Sequence, residues 1–517
     1  MKIVRILYTG IIVIFTTIAG VLMFLSACLH CETAIYAFEG KKSLVSHTPY
    51  IYIGVAAFIV LLGIGGYILL ERVFSRCSKP ERVSRWIFIG GFILLLVEGG
   101  FWLCFYDSIP VLDQMDVYKE AQRIAGIEGV QSDLTYLMEF PRNRGIALLM
   151  AGLIKIFGDS FLPFRFLNLG GLLLIYVSMC LAVEQIYQNR MISAMTSLVM
   201  VFFYPLIGYI TFLYGTLLSV AFTSLGLYAF LKLIQSEKLR YGILAVVAFA
   251  IGILMHQSAA IGLIAGVIYV LLNIKSKKNV LRAAVVCVVC LGAVVGLQKT
   301  VDNIYLHVSS VEEEGIPMPA VCTIYMGLTA ENGEAGPGSQ DGSQAVIFEE
   351  NNYDRVATNR DAAERIGQVL GEYVSGKRDW HFFLKKAEYQ WLDPTFGARK
   401  ITRINDVGNG EPANSEAFSA FYNSSFRDVL FKLSVGGMIA VYAGAFLSGI
   451  WAMKKKILCI EVILPQLYVI GGFFFQMMWE SLSRYCLGYY IWMIPGTVGA
   501  VYTVYRLILE NKTRRGK

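Results

Sequence analysis

The stretch "FIGGFILLLVEGGFWLCFYDSIPVLDQMDVYKEAQRIAG", Phe88 to Gly126, runs from an apolar segment straight into a polar one that opens on two carboxylates, Asp113 and Asp116. The apolar part, interrupted only by Glu98, is close to the roughly 20 residues that a membrane-crossing helix needs. In the polar part Val117, Ala121, Ile124 and Ala125 share one helical face, which predicts a short amphipathic helix lying along the membrane surface. The chain around it has the same bias. Of its 517 residues 56% are hydrophobic and only 16% charged, far from the composition of a soluble domain.

Apolar runs long enough to cross a bilayer occur at about 4 to 28, 50 to 71, 86 to 106, 164 to 184, 191 to 210, 215 to 235, 281 to 298, 431 to 451, 457 to 478 and 487 to 508. The run from Tyr241 to Asn273 is apolar except for His256 at its middle and is basic at both ends, the pattern of a hairpin of two short helices. Lysine and arginine cluster at Lys2 and Arg5, Arg72 to Arg85, Lys232 to Arg240, Lys275 to Arg282, Lys454 to Lys456 and in the tail "ENKTRRGK". Because such clusters stay on the cytoplasmic side, the chain threads through all of them only if Ile146 to Phe157 does not cross. The fold class expected is an all-α polytopic membrane protein of about 12 transmembrane helices, with juxtamembrane helices and a mainly helical external insert.

Five regions follow: N-terminal transmembrane helices over 1–106, a first external loop over 107–163, a transmembrane core over 164–298, an external globular insert over 299–430 and C-terminal transmembrane helices over 431–517. Within the insert, "GPGSQDGSQ" reads as a flexible loop from its Gly, Ser and Pro content. Val356, Ala363, Ile366, Val369 and Leu370 recur at helical spacing after it. In "DWHFFLKKAEYQWLDPTFG", Phe382, Phe383, Tyr389 and Trp391 offer an aromatic side, and Lys385 and Lys386 a basic one. Such a helix lies either at the headgroup level or against the insert's own core.

Net charge is +7, yet the positive-inside clusters account for it. There is no basic arm interleaved with aromatics and no phosphate-cradling glycine loop that opens a helix, so neither nucleic-acid binding nor an ATP-driven pump is expected. "FLSAC" ending at Cys28 has the look of a lipoprotein box, but the apolar run before it is longer than a cleaved signal's, so it reads as the first span. "CLHC" (Cys28, His30, Cys31) offers three ligands at most, too few for a closed zinc site.

What chemistry calls for carboxylates just outside a membrane helix? Asp113 has the ordinary reading of a helix cap, and the functional one of a general base for a hydroxyl arriving from water while a lipid-phosphate leaving group stays in the bilayer. Arg142, Arg144 and Arg484 lie at outer membrane boundaries, where a guanidinium can grip phosphate oxygens in bidentate fashion. Headgroup contact is the alternative for the first two, and an ion pair with Glu480 at helical i, i+4 spacing for the third.

These residues sit in stretches that resemble the GT-C type membrane glycosyltransferases, the group that includes protein O-mannosyltransferases and lipid A aminoarabinose transferases. In "PVLDQMDVYKEAQRIAG", Pro110, Asp113, Tyr118 and Ala121 match the opening of the juxtamembrane helix in their first external loop. The likeness continues in "FPRNRGIALLMAGLIKIFGDSFLPFRFLNL", "YPLIGYITFLYGTLLSV", "ILMHQSAAIGLIAGVIYVL", "FFLKKAEYQWLDPTFG" and "ESLSRYCLGYYIWMIPG". Two features depart from it: Asp113 and Asp116 stand as Asp-x-x-Asp where relatives carry Asp-Glu or Asp-x-Asp, and His256 stands where many have Lys.

The resemblance implies inverting transfer of a sugar from a polyprenyl-phosphate-linked donor to a cell-envelope glycan, lipid or protein on the external face of a bacterial plasma membrane. Asp113 is then the base, with Asp116 its partner or the ligand of a divalent cation. Arg142, Arg144, His256 and Arg484 are candidates for the donor phosphate, and Tyr118, Trp391, Asp393 and Glu480 for the acceptor. A polysaccharide polymerase or ligase is the alternative, and a lipid-linked glycan transporter a weaker one. A transporter predicts charges in mid-span and paired interrupted helices, whereas here the polar residues other than Glu98 collect at span ends.

Overall fold

The computed structural model describes residues 2–28, 49–105, 109–110, 112–130, 134–273, 277–309, 317–331, 336–399, 401–402, 425–455 and 460–515. His30 and Cys31 lie outside them. Every regular element among the described residues is helical. Among the described residues seven helices are long and apolar enough to cross a membrane: Val4–Cys28, Tyr50–Arg76, Pro80–Cys104, Leu162–Tyr187, Thr216–Ser236, Asp428–Lys454 and Glu461–Met478. Two bent pairs, Arg190–Val201 with Pro205–Thr211 and Ser483–Ile491 with Ile494–Asn511, raise the number to nine.

The difference between nine and the twelve expected lies in three segments. Leu239–Met255 and Ala259–Leu272 form the expected hairpin with His256 at its turn, but are only 17 and 14 residues long. Residues 281–298 are part of a 33-residue helix, Lys277–Ser309. Thr216–Ser236 packs between Leu162–Tyr187 and Leu239–Met255, while Ser425–Lys455 packs on Lys2–Cys28 and Pro49–Arg76.

The first bend has a local cause. Pro205 begins the second half of the first pair, and a proline cannot continue the hydrogen-bond ladder of the helix before it. The carbonyls left open where the second half ends at Thr211 are recovered by Asn168, fully buried on Leu162–Tyr187. Its Nδ2 donates to Ile210 O at 3.1 Å and to Phe212 O at 2.9 Å. Irregular backbone at membrane depth is tolerated where protein groups satisfy it in this way.

Gly215 follows this break. A Cβ on it would stand 1.8 Å from Met255 O, so only glycine allows the Thr216–Ser236 helix to start against the hairpin turn, and this contact brings Tyr214 beside His256. Helix Arg144–Phe157, at 14 residues, is about 21 Å long. It lies against Asp113–Ala125 and, as the charge pattern requires, is too short to cross.

The insert differs from its sequence reading in two places. Helix Arg355–Val374 buries Thr358, Ala362, Val369 and Tyr373, whereas Val356 is 72% and Leu370 47% exposed; the packed face is rotated from the predicted one because Tyr373 anchors it in a cluster with Trp380, Phe382 and Phe383. The glycine-rich stretch is packed rather than loose: Pro337, Gly338 and Ser339 are buried. Gly338, at φ +77°, passes so close to Gly327 O and Lys386 Nζ that a Cβ would come within 2.8 Å of each.

Candidate active site

Asp113 is the first residue of helix Asp113–Ala125, and the cap position is taken by Leu112 at φ 55° without any side-chain capping bond. Its carboxylate is therefore free of the capping role. The helix buries Val117, Tyr118, Ala121 and Ile124, close to the face expected. Its start is pinned by the neighbouring Gln114, whose Oε1 accepts Leu213 N–H at 3.0 Å. Asp113 thus stands next to the 212–214 segment with its side chain 46% exposed, and Asp113 Oδ2 lies 3.5 Å from Arg484 Nη2.

Arg484 belongs to a one-turn 3-10 helix, Ser483–Cys486. Its guanidinium lies over the rings of Phe212, Tyr214 and Tyr485 at 5.9, 5.9 and 5.3 Å. Its Nε, buried, has no hydrogen-bond acceptor among the described residues. Such a cation holds donors in reserve. The His256 ring packs between Tyr214 and Tyr485, at 6.4 and 5.4 Å.

His256 Nδ1 accepts Ser258 N–H at 3.3 Å and lies 2.8 Å from Ser258 Oγ, so the neutral ring carries its proton on Nε2. Burial, then the nearby charges of Arg142 and Arg484, pushes the imidazole down to about 3. Arg142 stacks over Phe140 at 4.8 Å. Tyr136 and Tyr214 complete the wall: their hydroxyls are 3.2 Å apart, and Asn143 Nδ2 donates to Tyr136 at 3.0 Å. Asp113, Arg142 and Arg484 all act electrostatically on the Tyr214 phenol. One carboxylate, two guanidiniums and an N–H-bearing imidazole thus face a common aromatic-walled space.

The other residues singled out from sequence lie elsewhere. Arg144 is 4% exposed and binds Leu137 O and, at 3.4 Å, Asp302, so it ties two helices together. Tyr118 donates to Asp159 at 2.6 Å. Trp391 is fully buried between Phe473 and Tyr489. Asp393, also buried, accepts from Thr395 N–H and Gly397 N–H, at 2.9 and 2.6 Å, and from Ser483 Oγ at 2.7 Å.

Glu480 accepts from Tyr485 Oη at 3.2 Å. The expected Glu480–Arg484 pair at helical spacing does not form, because helix Ile460–Met478 ends before Glu480 and the spacing rule holds only on a continuous helix. Lys386, read with Lys385 as the basic side of its helix, is fully buried. Burial pushes its ammonium down to about 7, with Glu480 opposing.

Among the described residues no three His, Cys, Asp or Glu side chains come together as metal ligands. Asp113 and Asp116 supply two carboxylates from one turn, and Asp113 already faces a cation, so the pair suits a divalent ion poorly and no step below passes through one. Sequence reasoning passed over Tyr136, Asn143 and Tyr214 as site residues. Nothing in their spacing could have found them, since Tyr136 and Tyr214 are 78 residues apart and meet only through the fold.

Residues 145–296 match the family described as dolichyl-phosphate-mannose-protein mannosyltransferase. No curated protein matches the chain. Among solved structures, the chain is similar to the archaeal oligosaccharyltransferase AglB from Archaeoglobus fulgidus, in complex with an inhibitory peptide and a dolichol-phosphate. The TM-score is 0.43 at 10% identity, over 85% of this chain and 52% of that one. This chain thus spans about half the length of that structure.

Proposed function

We propose that the chain, which matches the dolichyl-phosphate-mannose-protein mannosyltransferase family over residues 145–296, is a GT-C type polytopic glycosyltransferase that transfers a sugar from a lipid-phosphate-linked donor to a hydroxyl of a cell-envelope acceptor, with Asp113 as base. The observation that carries this reading is the loose pairing of Asp113 with Arg484 at 3.5 Å, beside Arg142 and a neutral His256. The matched family's description names a sugar carried on dolichyl phosphate, and such a donor would place its phosphate among these cations.

The acceptor oxygen attacks the anomeric carbon, its proton passes to the Asp113 carboxylate, and the anomeric C–O bond breaks with its electron pair going to the lipid phosphate. Attack from the face opposite the leaving group inverts the configuration. Charge grows on the phosphate oxygens as that bond breaks, and fixed donors aimed at developing charge are the largest single source of rate in many enzymes. Arg484 and Arg142 supply such charge, and His256 Nε2–H a neutral donor. Arg484 exchanges Asp113 for the phosphate when the donor arrives, which frees the carboxylate to take the proton. The site faces outward, where the acceptor is.

Membranes containing the chain, incubated with a panel of polyprenyl-phosphate sugars, test this directly. The expected result is transfer from at least one lipid-linked sugar and none from the matching nucleotide sugar. Transfer from the nucleotide sugar alone would overturn the proposal.

A further inference from the structure

Past Trp479, whose N–H still donates to Phe475 O at 2.9 Å, the chain leaves the helix before it reaches Arg484, and the last carbonyls of a helix have no partner within it. The insert supplies the partners from one segment. Lys386 and Gln390 are one turn apart on helix His381–Trp391, and Asp393 follows two residues past its end. All three are buried, at 0%, 0% and 2% exposed. Lys386 Nζ donates to Gly327 O and to Trp479 O, the latter at 2.6 Å. Gln390 Nε2 donates to Gln476 O at 3.0 Å and reaches Glu480 O at 3.5 Å. Asp393 Oδ2 accepts from Ser483 Oγ at 2.7 Å. Ser481 N–H completes the attachment by donating to Gly338 O at 2.8 Å.

Positions 386, 390 and 393 thus form a polar stripe, where helix packing normally uses an apolar one, and its members together hold residues 476, 479, 480 and 483. A buried ammonium and carboxylate are costly ways to pack a helix, since well-packed apolar residues often serve as well or better. What the polar stripe adds is direction: Ser483, held by Asp393, is covalently next to Arg484. The turn beneath repeats the constraint, because Gly397 N–H also donates to Asp393 and a Cβ on Gly397 would lie 3.7 Å from Arg484 Cβ.

We propose that Lys386, Gln390 and Asp393 are positioning residues: they fix the segment that leads into Arg484 and aim its guanidinium at Asp113, so that the insert sets how tightly a lipid phosphate is held. This rests on the phosphate-binding reading of Arg484 given above. It predicts that loosening the stripe costs affinity only through Arg484.

The test uses the full chain in lipid nanodiscs, with Ser483→Ala as the mild variant and Gln390→Leu and Lys386→Met as stronger ones. Amide hydrogen exchange over 481–486 and binding of dolichyl monophosphate are measured in each, and in Ser483→Ala combined with Arg484→Ala. Losing one hydrogen bond to a carboxylate should raise exchange in this segment roughly tenfold at an unchanged melting temperature, and weaken dolichyl monophosphate binding several-fold in the presence of Arg484 but not in its absence. Wild-type exchange over 481–486 in all three variants would overturn the proposal, as would the same affinity loss with and without Arg484. If the wild-type chain does not bind dolichyl monophosphate, the functional reading fails, and the exchange data alone decide whether the stripe fixes the segment.

Discussion

The helix Asp113–Ala125 carries two acid–arginine pairs, one near each end, and they are built in opposite ways. Near the C-terminal end Glu120 is fully buried. It is gripped by Arg123 at 2.7 and 2.8 Å and receives Tyr305 Oη at 2.9 Å, while Arg123 also donates to Ser309 O. At the N-terminal end Asp113 is about half exposed and meets Arg484 at 3.5 Å, and Arg484 keeps a buried N–H without an acceptor among the described residues. A fully satisfied pair has nothing left to offer a ligand and serves to lock helix Lys277–Ser309 onto helix Asp113–Ala125. The loose pair has donors and a lone-pair-bearing carboxylate to spare, which is what a reaction site needs. The first-turn position adds to this, since a helix N-terminus favours a carboxylate without consuming its lone pairs.

That contrast breaks most visibly at Glu120. Truncating one partner of a buried pair strands the other, so Glu120→Ala should cost about 3 to 5 kcal/mol of stability. Chemical denaturation of the purified protein reads this out. A loss below about 1 kcal/mol would mean that the tight pair behaves like a surface one. At the loose end the balance reverses. Arg484→Ala should lower turnover by about 100-fold to 1,000-fold, as loss of an aimed donor does, with little change in melting temperature. Arg484→Lys, which keeps the charge but loses the fork, should fall between. Equal turnover in all three proteins would leave Arg484 a purely structural cation.

His256 sharpens the same comparison through pH. Its folded value near 3 lies below the ordinary 6.5, so between these values the unfolded chain binds a proton that the folded chain does not. The stability this contributes is fully present above pH 6.5 and is lost as pH falls toward 3, by a total of at most about 5 kcal/mol. The difference between wild type and His256→Asn in thermal unfolding across that window should show it; parallel curves would mean that neither burial nor the two arginines hold the ring neutral. The smallest effect is expected at Tyr136. Tyr136→Phe removes one hydroxyl of the site wall and should lower turnover by a factor of about 5 to 10; an unchanged rate would make the tyrosine pair a packing feature.

How much of this was legible in the sequence depends on the range of the interaction. The apolar runs, the hairpin around His256 and the buried face of Asp113–Ala125 follow from composition and periodicity, because each is decided within one segment. Arg484, Arg142, His256 and Asp113 could be singled out one by one from their positions at span ends. Their meeting could not, since it depends on Asn168 supporting a broken span and on Gly215 allowing a close crossing. The sequence misled where local rules were applied beyond their reach. The Glu480–Arg484 spacing assumed a helix that ends at Met478. Lys386 could be read only as sharing a basic side with Lys385, because the carbonyls it binds come from residues 327 and 479. The apolar face of Arg355–Val374 was offset because an aromatic cluster, not the aliphatic count, decides which side is packed.

The account stands on Asp113 as the base at the loosely paired end. The most direct measurement compares Asp113→Asn with wild type for sugar transfer from a lipid-linked donor, for donor binding and for melting temperature, in the same preparation. Asn keeps the shape and the helix start but cannot accept the acceptor's proton. The account predicts a folded protein that melts with wild type, still binds the donor and transfers about 100-fold to 10,000-fold more slowly. An Asn variant with near-normal transfer would contradict it and remove Asp113 from the chemistry.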